Sequence, residues 1–258
     1  MLQFNEKTSR LLEIAYQGAD ISRRRRASFD ALNPRPGDTI LDIGCGNGLL
    51  TAELARAVGE TGRVIGVDPS DSMRALAVER TGDFANVEIL TGDANALPVE
   101  AAIADKAVSL QVFEYLDDMP GALAEAHRTL RPGGLLVIGD MHWDTLAWHS
   151  DSPARMAKMI EIWDRHLAER TVPALLPHVA RKVGYSVERM TPLVCSDIDL
   201  KPDGLANMLL ILMEAFALKS GDMDEKDVLD WTREQRTLAR EGRFFFSLTH
   251  FVMTARKT

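Results

Sequence analysis

Cysteine is scarce. Cys45 and Cys195 are the only two in 258 residues, and they stand far apart. That spacing argues against a zinc module or a disulfide framework. Positive charge is in deficit as well: 30 Lys and Arg against 38 Asp and Glu leave a net charge of −8. A basic footprint of the kind that phosphate binding needs is missing, so nucleic acid is not an expected partner. Long apolar runs are missing too. The longest, Met208 to Met213, falls well short of the ~20 residues that cross a bilayer. Met1 to Glu6 shows no basic region followed by an apolar one, which predicts no signal peptide. No internal repeat or low-complexity tract is evident. A soluble, cytoplasmic protein is expected. Core material is plentiful: the 46% hydrophobic content suits one large domain, or one domain carrying a cap.

The chain is organised around Thr39-Ile-Leu-Asp-Ile-Gly-Cys-Gly-Asn-Gly-Leu-Leu50. It reads as a buried strand, a turn with glycine at alternate positions, and the start of a helix. Glycines permit the sharp turn and let a ligand approach the backbone. The helix N-terminus behind them offers free N–H groups and partial positive charge.

Further strands are expected at Arg63–Asp68, Val87–Leu90, Lys106–Leu110 and Leu135–Ile138, with helices at Ser70–Arg80 and Met119–Leu130 between them. Short apolar strands alternating with helices indicate a parallel sheet covered on both faces, with ligands at the carboxyl ends of the strands. Ahead of this region, residues 4 to 32 read as helical with a break near Gly18, and Asp20 or Ser22 as a cap. The run Arg23 to Arg26 reads either as a solvated helix face or as a source of one arginine for a ligand carboxylate. After residue 140 the rhythm changes. Helices are expected at 153–170, 174–184, 202–219 and 224–240, and strands at 187–199 and 244–255.

Three ligand classes compete for the glycine turn. A nucleoside triphosphate loop requires Gly-Lys-Ser/Thr, which Gly48-Leu49-Leu50 does not supply. A dinucleotide fingerprint requires a third glycine where Leu49 stands, and Asp42 would repel a nearby pyrophosphate. A cofactor bearing an amine instead would favour Asp42. Asp68, at the end of the second strand, can accept from both hydroxyls of a ribose. Asp93, at the end of the third, can accept from an exocyclic amine, although aspartate at a strand end is often only a turn residue.

These segments together resemble the class I S-adenosylmethionine-dependent methyltransferases. Ile40 to Gly48 resembles their first motif, Gly66 to Ser70 the second, Gly92 to Pro98 the third and Leu110 to Leu116 the fourth. Leu130 to Gly134 resembles the turn before the fifth strand. The resemblance runs from about 15 to 142. It implies an α/β, Rossmann-like seven-stranded, mostly parallel sheet in the order 3-2-1-4-5-7-6, with helices on both faces and a helical cap. It implies a core over 1–142, cap inserts at 143–186 and 200–242, and strands at 187–199 and 243–258 completing the sheet as an antiparallel pair. The inserts leave the carboxyl ends of strands five and six, so a helical lid is expected.

The implied cofactor is S-adenosyl-L-methionine. Gly44, Cys45 and Gly46 would lie along its methionine part, Asp42 would hold the amino group, and Asp68 the ribose. Pro69 and Met73 would sit beside the adenine, Asp93 and Ala94 would read its edge, and Gln111 would lie near the sulfonium. Tyr16 and Arg23 would close over the carboxylate. The expected reaction moves a methyl group to an O, N, C or S atom of a small organic acceptor, in outline like quinone-biosynthesis C-methyltransferases. A non-catalytic protein that binds the cofactor as a regulatory module is the rival. Where the acceptor must lose a proton, His142 and Glu114 are the candidate bases. The apolar helix Leu205–Leu218 reads as core packing, or as a pocket wall or homodimer face. Trp143, Trp148 and Trp163 read as packing or a substrate wall. No metal site is expected.

Overall fold

A computed structural model of the protein describes residues 17–258. The expected helix start near residue 4, and Tyr16, lie outside that range. Seven strands form one sheet: β1 (Thr39–Ile43), β2 (Arg63–Asp68), β3 (Val87–Thr91), β4 (Ala104–Leu110), β5 (Leu130–Trp148), β6 (Tyr185–Asp197) and β7 (Phe246–Lys257). Their order is β3-β2-β1-β4-β5-β7-β6, as expected. The pairs β1–β2, β1–β4, β2–β3 and β4–β5 are parallel. Eight helices accompany them among the described residues: α1 (Ala19–Leu32), α2 (Leu49–Val58), α3 (Asp71–Thr81), α4 (Met119–Thr129), α5 (Pro153–Asp164), α6 (Val172–Val183), α7 (Leu205–Ser220) and α8 (Glu225–Arg240).

The described chain divides into two compact units. The larger holds residues 25–141, 171–192 and 251–258. Its strands alternate in which face they serve, because successive side chains of a strand point to opposite sides. Ile40, Val64, Val108 and Val137 pack with Leu50, Leu54 and Val58 of α2 in one buried cluster. Their neighbours Leu41, Ile65, Ala107 and Leu136 pack with Leu123 and Ala126 of α4 in another. That second cluster also takes Val172, Leu176 and Ala180 of α6, which recur at i, i+4 and i+8 on one helix face. The stretch 171–186, expected within a cap insert, therefore belongs to the core unit.

The second unit holds the described residues up to Arg24 with 142–170 and 193–250. Here α5, α7 and α8 pack on one another. Leu205, Leu209, Leu210 and Met213 of α7 are buried, so its apolar surface serves mainly as packing. Trp148, Trp231 and Phe246 meet edge to face, with centroids 5.6 Å and 5.0 Å from Trp148. The Trp148 indole N–H donates to Gln235 Oε1 at 2.9 Å. Trp143, Trp163, His166 and Phe216 form a further aromatic cluster. The three tryptophans of the first insert are thus packing residues.

One strand runs longer than expected at both ends. β5 begins at Leu130, absorbing the Arg131–Gly134 turn as a register shift opposite Ala104–Lys106. It also continues to Trp148, past the expected start of the insert at 143. Alternating burial over Met141, His142, Trp143 and Asp144 keeps the strand pattern going.

Candidate active site

The carboxyl end of β1 leads into the glycine turn. Gly44, Gly46 and Gly48 all take positive φ, at 71°, 53° and 77°, a region that L side chains occupy only with strain. The turn is tied to β2: Gly44 N and Cys45 N both donate to the Val67 carbonyl, at 2.7 and 3.0 Å. Its sides differ. A Cβ on Gly44 would fall 2.3 Å from Val112 Cγ2, and one on Gly48 would fall 2.9 Å from Ala77 Cα. A Cβ on Gly46 would meet nothing within 4 Å. The backbone around Gly46 is thus open on the side that a ligand can approach.

Two carboxylates stand on the strands that adjoin the turn. Asp42 is almost fully buried and accepts from Thr51 Oγ1 at 2.6 Å. Burial raises its pKa to about 7; the Thr51 hydroxyl opposes the shift and the charge of Asp68 adds to it. Asp68, at the end of β2, accepts from Gly46 N through Oδ2 and from Ser70 N through Oδ1, both at 2.9 Å. Each of its oxygens has a further lone pair to offer. Cys45 lies between these groups. Burial and the charges of Asp42 and Asp68 push its thiol pKa up, so it serves packing and not nucleophilic attack.

Two arginines brace this region. Arg74 donates to the Asp68 carbonyl at 2.8 Å and pairs with Asp71. Arg80 donates to the Asn47 carbonyl inside the glycine turn. Neither stands out in the sequence, because a long cation on a helix has no local signature of what it will reach.

The arrangement can hold a cation better than a phosphate. Asp68 accepts from the Gly46 amide and Asp42 stands two residues before Gly44 on β1, so an anion at the turn would meet negative charge. A positively charged amine beside Asp42 and a vicinal diol at Asp68 match the donors and acceptors present.

Residues 41–138 match a family model described as a methyltransferase domain. That stretch is a methyltransferase domain. A 37.1 kDa uncharacterized protein in transposon TN4556 of Streptomyces fradiae is 38% identical over 166 residues, 64% of this chain and 48% of that protein. Demethylmenaquinone methyltransferase of Staphylococcus saprophyticus is 35% identical over 113 residues, 44% of this chain and 48% of its own. The chain spans about half the length of the curated relatives it matches. Among solved structures, phosphoethanolamine N-methyltransferase 2 of Haemonchus contortus, in complex with phosphomonomethylethanolamine and S-adenosylhomocysteine, superposes with a TM-score of 0.63. It is 17% identical, over 99% of this chain and 58% of that one, a likeness of fold.

Within the methyltransferase domain, the remaining expected residues fall in three places. Pro69 is exposed and Met73 half-buried at the start of α3, where Ser70 caps the helix by accepting from Met73 N at 3.4 Å. Asp93 is exposed, and its Oδ1 accepts from Asn95 N at 2.8 Å. The carboxylate shapes a local turn, and Ala94 beside it is buried. Gln111 closes β4 with φ 55°; its N–H donates to the Gly139 carbonyl at 2.8 Å, and its Nε2 to Glu114 Oε1 at 3.4 Å. Glu114 is fully buried in a short 3₁₀ turn, Phe113–Tyr115. Asp140, an unexpected second carboxyl, is fully buried on β5 and accepts from Phe113 N at 3.0 Å.

Arg23 and His142 fall in the other unit. Arg23 is exposed and donates to the Val194 carbonyl. The His142 carbonyl accepts from Thr145 Oγ1 at 2.7 Å. The arginine run is not one solvated face: Arg24 and Arg25 are buried, and Arg25 pairs with Glu53 at 2.7 Å.

Proposed function

We propose that the chain transfers a methyl group from S-adenosyl-L-methionine to an O, N, C or S atom of a small organic molecule. The carrying observation is the pair Asp42 and Asp68 beside the open Gly46 backbone, a combination that suits a cationic amino-acid nucleoside and repels a pyrophosphate. Bound S-adenosyl-L-methionine supplies an electrophilic methyl on a cationic sulfur. Asp42, ionised, holds the ammonium group, and the Asp68 carboxylate holds the ribose hydroxyls. Gly44, Cys45 and Gly46 border the methionine part, Pro69 and Met73 the adenine, and Asp93 and Ala94 its edge. Gln111 sits on the sulfonium side, with Glu114 as the proton acceptor for a nucleophile that must be deprotonated.

Positioning an acceptor in line with the methyl accounts for up to roughly 7–11 kcal/mol of a barrier, and a general base adds about 10²–10⁴-fold. Similarity to demethylmenaquinone methyltransferase covers 44% of this chain. Calorimetric titration with S-adenosylmethionine, S-adenosylhomocysteine and NADH tests the reading. Binding of the two sulfur compounds and not of NADH is expected; binding of NADH alone would refute it.

A further inference from the structure

Asp42 and Asp68, on the strands that adjoin the glycine turn, are supported differently. Asp68 accepts from two backbone amides, Gly46 N and Ser70 N. Gly44 N and Cys45 N are engaged by the Val67 carbonyl, and Gly48 N by the Cys45 carbonyl at 3.0 Å. The Asp42 carboxyl has one hydrogen-bond donor among the described residues, the Thr51 hydroxyl, which reaches Oδ2 at 2.6 Å. Both side chains are closed off from water, Thr51 wholly and Asp42 almost so. Thr51 sits among the buried Leu50, Ala52, Leu54 and Ala55 of α2, where a valine would meet the needs of packing alone.

Thr51 is the third residue of α2, and a helical side chain leans toward the helix N-terminus, here toward the end of β1. The other surroundings of Asp42 give a charge no support. Its strand partners are Gly66 of β2 and Val108 of β4. Burial and the negative charge of Asp68, at the end of β2, both favour the protonated form. Cys45 in the turn is itself held protonated. Two residues along α2, Glu53 pairs with Arg25. On α3, Arg74 pairs with Asp71 and donates to the Asp68 carbonyl. Thr51 is therefore the group that favours the charged form of Asp42. A hydrogen bond to an ionised group is roughly twice as strong as one between neutral groups, so loss of the hydroxyl falls mainly on the carboxylate.

We propose that Thr51 is a positioning residue whose hydroxyl keeps Asp42 available as a carboxylate, so that α2 sets the pH at which the cofactor ammonium is taken up. The inference rests on the S-adenosylmethionine reading above, in which Asp42 holds that ammonium. With the hydroxyl in place, the carboxylate is within reach near neutrality. Without it, Asp42 keeps its proton to higher pH, and the arriving ammonium has to displace it. No covalent bond to carbon changes in this step: the proton leaves Asp42 for the buffer, and the ammonium takes its place against the carboxylate.

The test compares the wild type with Thr51→Val and Thr51→Ser, each checked for folding by circular dichroism melts. The first measurement needs no ligand: the carbon-13 resonance of the Asp42 carboxyl, assigned through Asp42→Asn, is followed against pH. Thr51→Val should raise its midpoint by about one pH unit or more, the size of one charge-assisted hydrogen bond. Thr51→Ser, which keeps the hydroxyl, should return it to the wild-type value. The second measurement is calorimetry with S-adenosylhomocysteine, which carries the same ammonium. A midpoint one pH unit higher should weaken binding to Thr51→Val by about ninefold at pH 6, about fivefold at pH 7 and less than about twofold at pH 8.5. Thr51→Ser should stay close to the wild type throughout. A merely structural role would lower affinity equally at every pH. An unmoved midpoint, a loss of affinity independent of pH, or a loss in Thr51→Ser equal to that in Thr51→Val overturns the proposal. A wild type that binds neither S-adenosylmethionine nor S-adenosylhomocysteine would instead sink the cofactor reading, while the midpoint still decides what Thr51 does to Asp42.

Discussion

Asp42 couples the candidate site to pH. Its pKa in the fold, about 7, lies above the 3.8 of the free side chain, so the folded state retains a proton that the unfolded chain has already released. The stability this proton confers is complete below about pH 4 and is lost as pH rises toward 7. Asp42→Asn removes the dependence. Its melting temperature should therefore gain on the wild type as pH rises from about 4 to about 7, the interval in which the unfolded chain has released the proton that the fold retains. Binding runs the other way: a cofactor ammonium needs Asp42 charged, so the wild type should release a proton on binding near neutrality. Titration in two buffers of different ionisation enthalpy reads that proton directly, and identical heats in both would contradict it. At Asp68 the expectation is simpler. Asp68→Ala should weaken S-adenosylmethionine by about 1–3 kcal/mol, as for a lost charge-assisted hydrogen-bond pair. Unchanged affinity in a folded variant would mean that the ribose is held elsewhere.

At the scale of elements, the glycine turn and the turn after β4 are fitted to each other. Gly44→Ala would place a methyl 2.3 Å from Val112 Cγ2 at a φ of 71°. A non-glycine residue held in such a region costs about 1–3 kcal/mol before the clash is counted. Denaturant unfolding should show at least that loss. Val112→Ala in the same chain should recover the part due to collision and leave the part due to φ. This fit between turns was not legible in the sequence, although each turn was. β1 and β2 appear at the residues expected, because a short apolar run closed by glycine or aspartate is a local signal. The reach of β5 to Trp148 was hidden, since the mixed histidine, tryptophan and aspartate after Asp140 look like a loop until their alternating burial is seen. Asp20 shows the same limit: its carboxylate accepts from Leu205 N at 3.1 Å, at the start of α7, and does not cap α1. Thr51, Arg74, Arg80 and Asp140 went unread for one reason: each acts through a partner brought near only by the folded chain.

At the scale of the molecule, the strand order was legible through family resemblance, and the division of the chain was not. Helix α6 has the amphipathic face of a core helix, yet periodicity cannot say which body that face will join. The smaller unit depends on its own aromatic core. Trp231 is fully buried, so Trp231→Ala should cost about 3–5 kcal/mol in thermal or denaturant unfolding, and a loss below 1 kcal/mol would show that the aromatic cluster contributes little.

The placement of the tryptophans also has an optical consequence. Trp143, Trp148, Trp163 and Trp231 are the four tryptophans of the chain, and all belong to the smaller unit. Indole emission therefore reports the melting of that unit's core, while the residues assigned to the cofactor in the larger unit have no indole of their own. A tryptophan introduced at Val78, an exposed position on α3, would give the cofactor-binding unit its own reporter, so that the two bodies could be followed separately in one unfolding experiment.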